Sequence, residues 1–265
     1  MPRPVIALLT DFGLRDHYVA AMKGVILGIC PDATLLDITH DVAPQDIVGG
    51  ALELEAVVPY LPDDTIVVGV VDPGVGSERR AVAIDATRVR FVGPDNGLFD
   101  LALRAVAGEV TAVSLTDPQF HRPVMSRTFE GRDRFGPVAA HLANGVTLTS
   151  LGPRVTDLQS IEVPDPVVGP ASAEGVVLRV DHFGNLVTNI GADHVQGIGE
   201  DAHVSLGNVT IAGISATYAD AAPGSLCALI GSSGRLEVAV SGGSAARALG
   251  VARGARVTVR RRMSA

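Results

Sequence analysis

Unbroken apolar runs alternate with stretches in which apolar residues recur every three or four positions, and this rhythm organises the first half of the chain. Residues 4–9 form one such run and predict a buried strand, closed by the turn Thr10-Asp11-Phe12-Gly13. Val19, Met22, Val25, Ile26 and Ile29 then fall on one face of a helix expected over 16–30. Strand 33–37, the loop from Thr39 to Pro44, helix 45–61 and strand 65–71 continue the alternation. A hairpin of 81–85 with 88–92, the turn cluster Gly93-Pro94-Asp95-Asn96-Gly97, and helices over 98–107 and 132–143 complete it. The expected class is α/β.

The pattern changes after Gly152, where Pro153, Pro164, Pro166 and Pro170 punctuate a helix-poor stretch. Short β-rich runs follow at 176–180, 202–206, 209–211, 226–230, 236–240 and 256–260, separated by turns at Gly207-Asn208 and Gly231 to Gly234. Such spacing predicts a small antiparallel barrel or sandwich. The expected organisation is an α/β sheet domain over 1–157, a linker over 158–173, and an antiparallel β-barrel domain over 174–265. No internal repeat or low-complexity tract is present.

Composition narrows the functional classes. The 265 residues are 47% hydrophobic and 19% charged and lack tryptophan, so Val, Ala, Leu and Ile must build the cores. A net charge of −8 argues against a nucleic-acid binder, and Arg260-Arg261-Arg262 reads as a solvated tail. Lys23 is the only lysine among 21 basic residues. Cys30 and Cys227 are too few for a disulfide framework or metal cluster and read as core thiols. The seven histidines are scattered, with none at metal-ligand spacing, and His141 reads as helix surface or core. With no signal pattern and no apolar run near the roughly 18 residues of a membrane span, a cytoplasmic protein without membrane attachment is expected.

The candidate chemistry lies at strand ends. Val70-Val71-Asp72-Pro73-Gly74-Val75-Gly76-Ser77-Glu78-Arg79 closes an apolar strand with a tight turn from which Arg79 can fold back toward Asp72. Asp11-Phe12-Gly13 also occurs in protein kinases, but the glycine-rich loop and catalytic loop of that fold are missing. No dinucleotide or Walker fingerprint is present. Asp11, a carboxylate where a phosphate cradle would need backbone donors, suits neutral hydroxyls, as of a ribose, or a cation.

Eight ordered motifs together resemble a known family: Leu9-Thr10-Asp11-Phe12-Gly13, Lys23-Gly24, Cys30-Pro31, Asp37-Ile38-Thr39-His40, Val71-Asp72-Pro73-Gly74-Val75-Gly76, Gly93-Pro94-Asp95-Asn96-Gly97-Leu98, Thr128-Phe129-Glu130-Gly131-Arg132-Asp133, and Asp181-His182-Phe183-Gly184-Asn185 with Thr188-Asn189. The chain is similar over essentially its whole length to the S-adenosyl-L-methionine hydrolases that form adenosine, relatives of fluorinase and chlorinase. The resemblance implies an α/β domain followed by a β-barrel domain. It also implies a homotrimer with each substrate site between the first domain of one subunit and the second of its neighbour, and hydrolysis to adenosine and L-methionine with no metal or other cofactor.

By the same resemblance, Asp11 holds the ribose hydroxyls and Asp16 the methionine moiety. Phe129 and Gly131 line the substrate, Asp181 and Asn185 hold the methionine amino group and the adenine edge, and Ser232 lies near the methionine carboxylate. Ser233 stands where the halogenases carry arginine. Asp72 and Arg79 match two members of an Asp-Arg-His set that prepares water for attack at the ribose C5′ carbon. The third member departs from the pattern, because Glu130 replaces the histidine.

Two carboxylates around one guanidinium titrate as a coupled set, and one acid could stay protonated near neutrality. Glu130 could orient water, pin Arg79 in a salt bridge, or point into solvent. Two alternatives to hydrolysis stay open: a protein that binds S-adenosylmethionine or adenosine without turnover, and a halogenase. Against the latter, Asp72 stands where halogenases carry tyrosine, and the fluorinase insertion is missing between 81 and 93.

Overall fold

The structure is a computed structural model that describes residues 3–106, 108–199 and 202–261. Ala107, the expected end of the helix over 98–107, and Arg262, of the terminal arginine cluster, lie outside the described residues. The chain forms two compact units, Met1–Ile161 and Glu162–Ala265.

In the first unit the apolar runs become strands, and the central ones are buried on both faces. Strands β1 (Val5–Thr10), β2 (Thr34–Thr39), β3 (Thr65–Val70), β4 (Ala81–Ala86), β5 (Val89–Pro94), β6 (Thr111–Ser114) and β7 (Arg154–Val155) make one sheet of order β2-β1-β3-β5-β4-β6-β7. β2, β1, β3 and β5 run parallel, while β4, β6 and β7 extend the sheet with antiparallel pairings. Alternate residues of β1 and β3 enter opposite cores. Ile6, Leu8, Ile66 and Val68 pack with Met22 and Ile26 of helix α1 (Tyr18–Ile29) and Val138 of helix α4 (Gly136–Ala143). Ala7, Leu9 and Val67 pack with Leu54 of helix α2 (Ile47–Val57) and Ala102 of helix α3 (Asp100–Ala105). A sheet covered on both faces is what near-continuous apolar strands require.

The helices are shorter than their apolar patterns predict. α2 gives way to a 3-10 turn at Val58–Tyr60, where Pro59 cannot supply a backbone donor. The helix expected over 132–143 begins with a π-helical turn, Gly131–Phe135, closed by Gly136 N donating to Gly131 O. Strands β6 and β7 were not expected. Residues 157–161 bond to this unit: Gln159 N donates to Asp95 at 2.8 Å and Ile161 N to Asp100 at 3.1 Å.

The second unit is an antiparallel sheet, nearly a barrel. It contains β8 (Val167–Gly169), β9 (Ser172–Val180), β10 (Leu186–Gly191), β11 (His203–Leu206), β12 (Val209–Ala212), β13 (Leu226–Ile230), β14 (Arg235–Val240) and β15 (Arg256–Arg260). Their order is β12-β11-β15-β9-β10-β14-β13, with β8 beside β9, and a bridge between Ser215 and Leu229 draws the ends together. Two short helices, α5 (Ala192–Gln196) and α6 (Ala245–Leu249), are its only α-helices among the described residues, beside a 3-10 turn at Tyr218–Asp220. β10 was not expected because Thr188 and Asn189 interrupt its apolar pattern. Both are buried and satisfied: Thr188 Oγ1 donates to Leu236 O, and Asn189 accepts from Val176 N and donates to Pro164 O.

Candidate active site

Parallel neighbours end on the same edge of a sheet, and ligands collect beyond that edge. Thr10 of β1 lies opposite Val70 of β3, so Asp11 and Asp72 leave the sheet close together. The chain turns at once, with Val75 N donating to Asp72 O at 3.2 Å and Ser77 N to Gly74 O at 3.1 Å. Gly76 has φ +78°, and a Cβ there would collide with the carbonyl oxygen of Arg127. Only glycine fills such a position without strain. Ser77 Oγ donates to Gly74 O and accepts from Arg79 N, which starts Arg79 back toward the strand end. Two residues of the Gly93–Leu98 motif brace the same turn: Asn96 donates to Val71 O at 2.9 Å, and Asp95 accepts from Arg80 Nε at 2.8 Å.

Arg79 lies between two carboxylates. Its Nε donates to Asp72 Oδ1 at 2.8 Å and Oδ2 at 3.0 Å, and its Nη2 bonds both Asp72 Oδ2 and, at 2.6 Å, Glu130 Oε2. The side chains of Asp72, Arg79 and Glu130 are only 4%, 11% and 11% exposed, so water screens these contacts poorly. Burial works against the guanidinium charge, but hydrogen bonds to Asp72 and Glu130 outweigh it and hold the Arg79 pKa above its ordinary value. Glu130 therefore does not point into solvent; it pins Arg79 in a salt bridge. Its Oε2 also lies 3.5 Å from Arg134 Nη1, whereas its Oε1 accepts no hydrogen bond among the described residues.

A cavity of about 60 Å³ opens beside this cluster, lined by Asp11, Phe12, Val70, Asp72, Val75, Thr128, Phe129, Glu130 and Gly131. Glu130 also borders a second cavity of about 310 Å³ whose walls include Ser77, Arg127 and Arg134. Phe129 meets the rings of Phe12 and Tyr18 edge-on at 5.7 and 5.2 Å, with the Arg132 guanidinium over its face at 4.9 Å. Sequence reasoning missed Phe12 and Arg134; Phe12 lay inside a quoted motif, while nothing local marked Arg134.

Asp133 was also missed, although it anchors the segment that carries Phe129, Glu130 and Gly131. Its fully buried carboxylate accepts from Ser126 N at 2.7 Å, Arg122 Nη1 at 2.9 Å, and Arg132 Nε and Nη2 at 2.7 Å. Burial alone would raise its pKa, yet the Arg132, Ser126 and Arg122 bonds hold it down at about 2.

The other expected residues are scattered more widely. Asp11 Oδ2 accepts from Gln45 N at 2.8 Å, which fixes one carboxylate oxygen. Asp16 is exposed in the loop before α1. In the second unit Asp181 accepts from Phe183 N, Asn185 N and Asn185 Nδ2 at 2.8 to 2.9 Å, and Ser232 is exposed in the turn between β13 and β14. Among the described residues no group of three or more His, Cys, Asp or Glu could hold a metal ion, and no helix is long and apolar enough to cross a membrane. Cys30 and Cys227 are buried and unpaired, as expected of core thiols. His141, half-buried on α4, meets Phe120 edge-on.

Comparison with known proteins matches two family models, the SAM hydroxide adenosyltransferase N-terminal domain over residues 6–152 and the corresponding C-terminal domain over 175–258. The chain is 42% identical over 258 residues to the (R)-S-adenosyl-L-methionine hydrolase of Salinispora arenicola, covering 97% of each chain. It is 40% identical to the protein of the same name from Thermus thermophilus, covering 95% of this chain and 97% of that one. Among solved structures, an uncharacterized conserved protein from Thermotoga maritima superimposes with a TM-score of 0.90 at 34% identity, covering 97% of this chain and 100% of that one. Proteins named fluorinase match at 27 to 29% identity.

Proposed function

The chain belongs to the SAM hydroxide adenosyltransferase family, and from that premise we infer that it hydrolyses S-adenosyl-L-methionine to adenosine and L-methionine. The curated relatives are named for the R epimer, and this chain takes that epimer in our reading. The observation that carries the chemistry is the buried Asp72–Arg79–Glu130 cluster beside a cavity that also contains Asp11.

Water attacks the ribose C5′ carbon and methionine departs as a neutral thioether, so the leaving group needs no proton and no Lewis acid. The difficulty lies with the nucleophile, which must be held in line and lose a proton. Both oxygens of Asp72 already accept from Arg79, whereas Glu130 keeps Oε1 uncommitted. We therefore assign proton acceptance to the carboxylate pair, with Glu130 Oε1 the readier acceptor. Arg79 holds the two carboxylates in register and offsets hydroxide charge as it develops. Asp72 and Glu130 line the cavity whereas Arg79 and Arg134 do not, so the wall that a ligand meets attracts a sulfonium cation and repels a halide. At low effective dielectric that repulsion reaches about several kcal/mol, an argument for hydrolysis over halogenation.

Asp11 then holds the ribose hydroxyls, Phe129 and Gly131 wall the reacting end, and Asp16 meets the methionine moiety. A cavity of about 60 Å³ takes only the reacting end of such a molecule, since sites for ligands of this size run to roughly 300 Å³ or more. From the family resemblance we read a homotrimer in which Asp181, Asn185 and Ser232 of a neighbouring copy complete the site. We place the protein in the cytoplasm, a reading supported by its two unpaired thiols.

The test is incubation of metal-free protein with each sulfonium epimer, with and without chloride, in oxygen-18 water. Adenosine labelled at the 5′ hydroxyl in both buffers is expected. 5′-Chloro-5′-deoxyadenosine, or binding without turnover, would overturn the reading.

A further inference from the structure

Two motifs that the hydrolysis scheme leaves unused, Lys23-Gly24 and Asp37-Ile38-Thr39-His40, converge under the Asp11–Phe12 turn. Lys23 Nζ, from α1, donates to Asp37 Oδ2 at 2.6 Å. Asp37 Oδ1, at the end of β2, lies 3.1 Å from His40 Nε2, and His40 Nδ1 lies 2.8 Å from Thr10 Oγ1. Thr10 Oγ1 in turn accepts from Phe12 N at 3.2 Å. Thr10 is fully buried and His40 is 4% exposed. The chain of bonds has one consistent direction. The Asp37 carboxylate can only accept, so His40 Nε2 carries a ring proton; in the neutral ring Nδ1 is then the acceptor, and the Thr10 hydroxyl donates to it while accepting from Phe12 N. The segment after β2 grips the turn twice more, through Gly13 N to His40 O at 2.7 Å and Gln45 N to Asp11 Oδ2 at 2.8 Å.

We propose that His40 is a positioning residue, which acts through Thr10 to fix the Asp11–Phe12 turn and so sets affinity for the ribose of the substrate. This rests on the assignment of Asp11 to the ribose hydroxyls. Asp72 and Arg79 come from the segment after β3, and Glu130 from the N-cap of the π-helical turn, outside this relay, so substrate affinity and not the chemical step depends on it.

Thr10→Val keeps the shape and removes the hydroxyl, Thr10→Ser keeps the hydroxyl, and His40→Leu breaks the relay at its centre. In Thr10→Val and His40→Leu the KM for S-adenosyl-L-methionine and the Kd for adenosine by calorimetry are expected to rise about three- to tenfold, the worth of one buried hydrogen bond, with kcat within about twofold. Thr10→Ser returns both constants to wild type. Nitrogen-15 spectra of the wild-type histidine rings are expected to show His40 with Nδ1 as acceptor and Nε2 protonated, and Thr10→Val moves that signal. Unchanged KM and Kd in the first two variants, or kcat falling as far as KM rises, overturns the proposal. If a variant fails to fold, the wild-type tautomer decides, and an Nδ1-protonated ring overturns it. A wild-type protein that binds adenosine without hydrolysing substrate refutes the proposed function, while adenosine affinity still tests the relay.

Discussion

Replacing Arg79 with methionine removes the cation between two buried carboxylates while keeping much of the side chain's length. Removing one partner of a buried ion pair costs about 3–5 kcal/mol, because the remaining charge has neither water nor a counter-ion. The side-chain exposures of 4% for Asp72 and 11% for Glu130 put this cluster in that regime. Glu130 retains Arg134 at 3.5 Å, so the lower end, about 3 kcal/mol, is expected. Asp72→Asn in the Arg79→Met background removes an orphaned charge and should restore about 1–2 kcal/mol, a coupling measurable by a double-mutant cycle. The chain has no tryptophan, so urea unfolding is best followed by far-ultraviolet circular dichroism. Turnover falls at least about 100-fold in Arg79→Met, while adenosine affinity by calorimetry stays within about threefold. Equal stability of wild type, single and double variants, or wild-type turnover in Arg79→Met, would refute the assignment of Arg79.

Glu130→Gln keeps the shape but removes the uncommitted basic oxygen, and kcat should drop about 100-fold or more with little change in KM; chromatographic assay of adenosine checks this, and an unchanged kcat removes Glu130 from the reaction. Phe129→Ala empties the space between Phe12 and Tyr18 and unseats Arg132, so a loss of about 3 kcal/mol and a raised KM are expected, read by urea unfolding and kinetics. Asp133 has its pKa lowered from 3.8 to about 2, so its ion pairs stabilise the fold fully above 3.8 and lose that effect as pH falls through about 2. The shift corresponds to about 2 kcal/mol, and the stability gap between wild type and Asp133→Asn should narrow between about pH 4 and pH 2. A gap that stays constant across that range refutes the linkage.

What was legible in the sequence was what contiguous residues encode. The unbroken apolar runs of β1 and β3 announce strands buried on both faces, and Asp72 to Arg79 contains its own instructions for folding back: a glycine forced to φ +78° and a serine that caps the turn. Non-local satisfaction of polar groups was not legible. Thr188 and Asn189 look like a loop until Leu236, Val176 and Pro164 supply their partners. Nothing in the local pattern joins Glu130 to Arg79, 51 positions earlier; the family resemblance alone brought them together, and the salt bridge was one of three readings it left open. The same physics explains how a carboxylate sits where the family resemblance leads one to expect histidine. Glutamate brings a second negative charge into a pocket that already contains Asp72, and Arg79 alone cannot neutralise both. Arg134, four residues after Glu130, supplies the second cation from the same helical segment. The substitution is therefore balanced locally by an arginine whose role becomes visible only when the π-helical turn brings its guanidinium to 3.5 Å from Glu130.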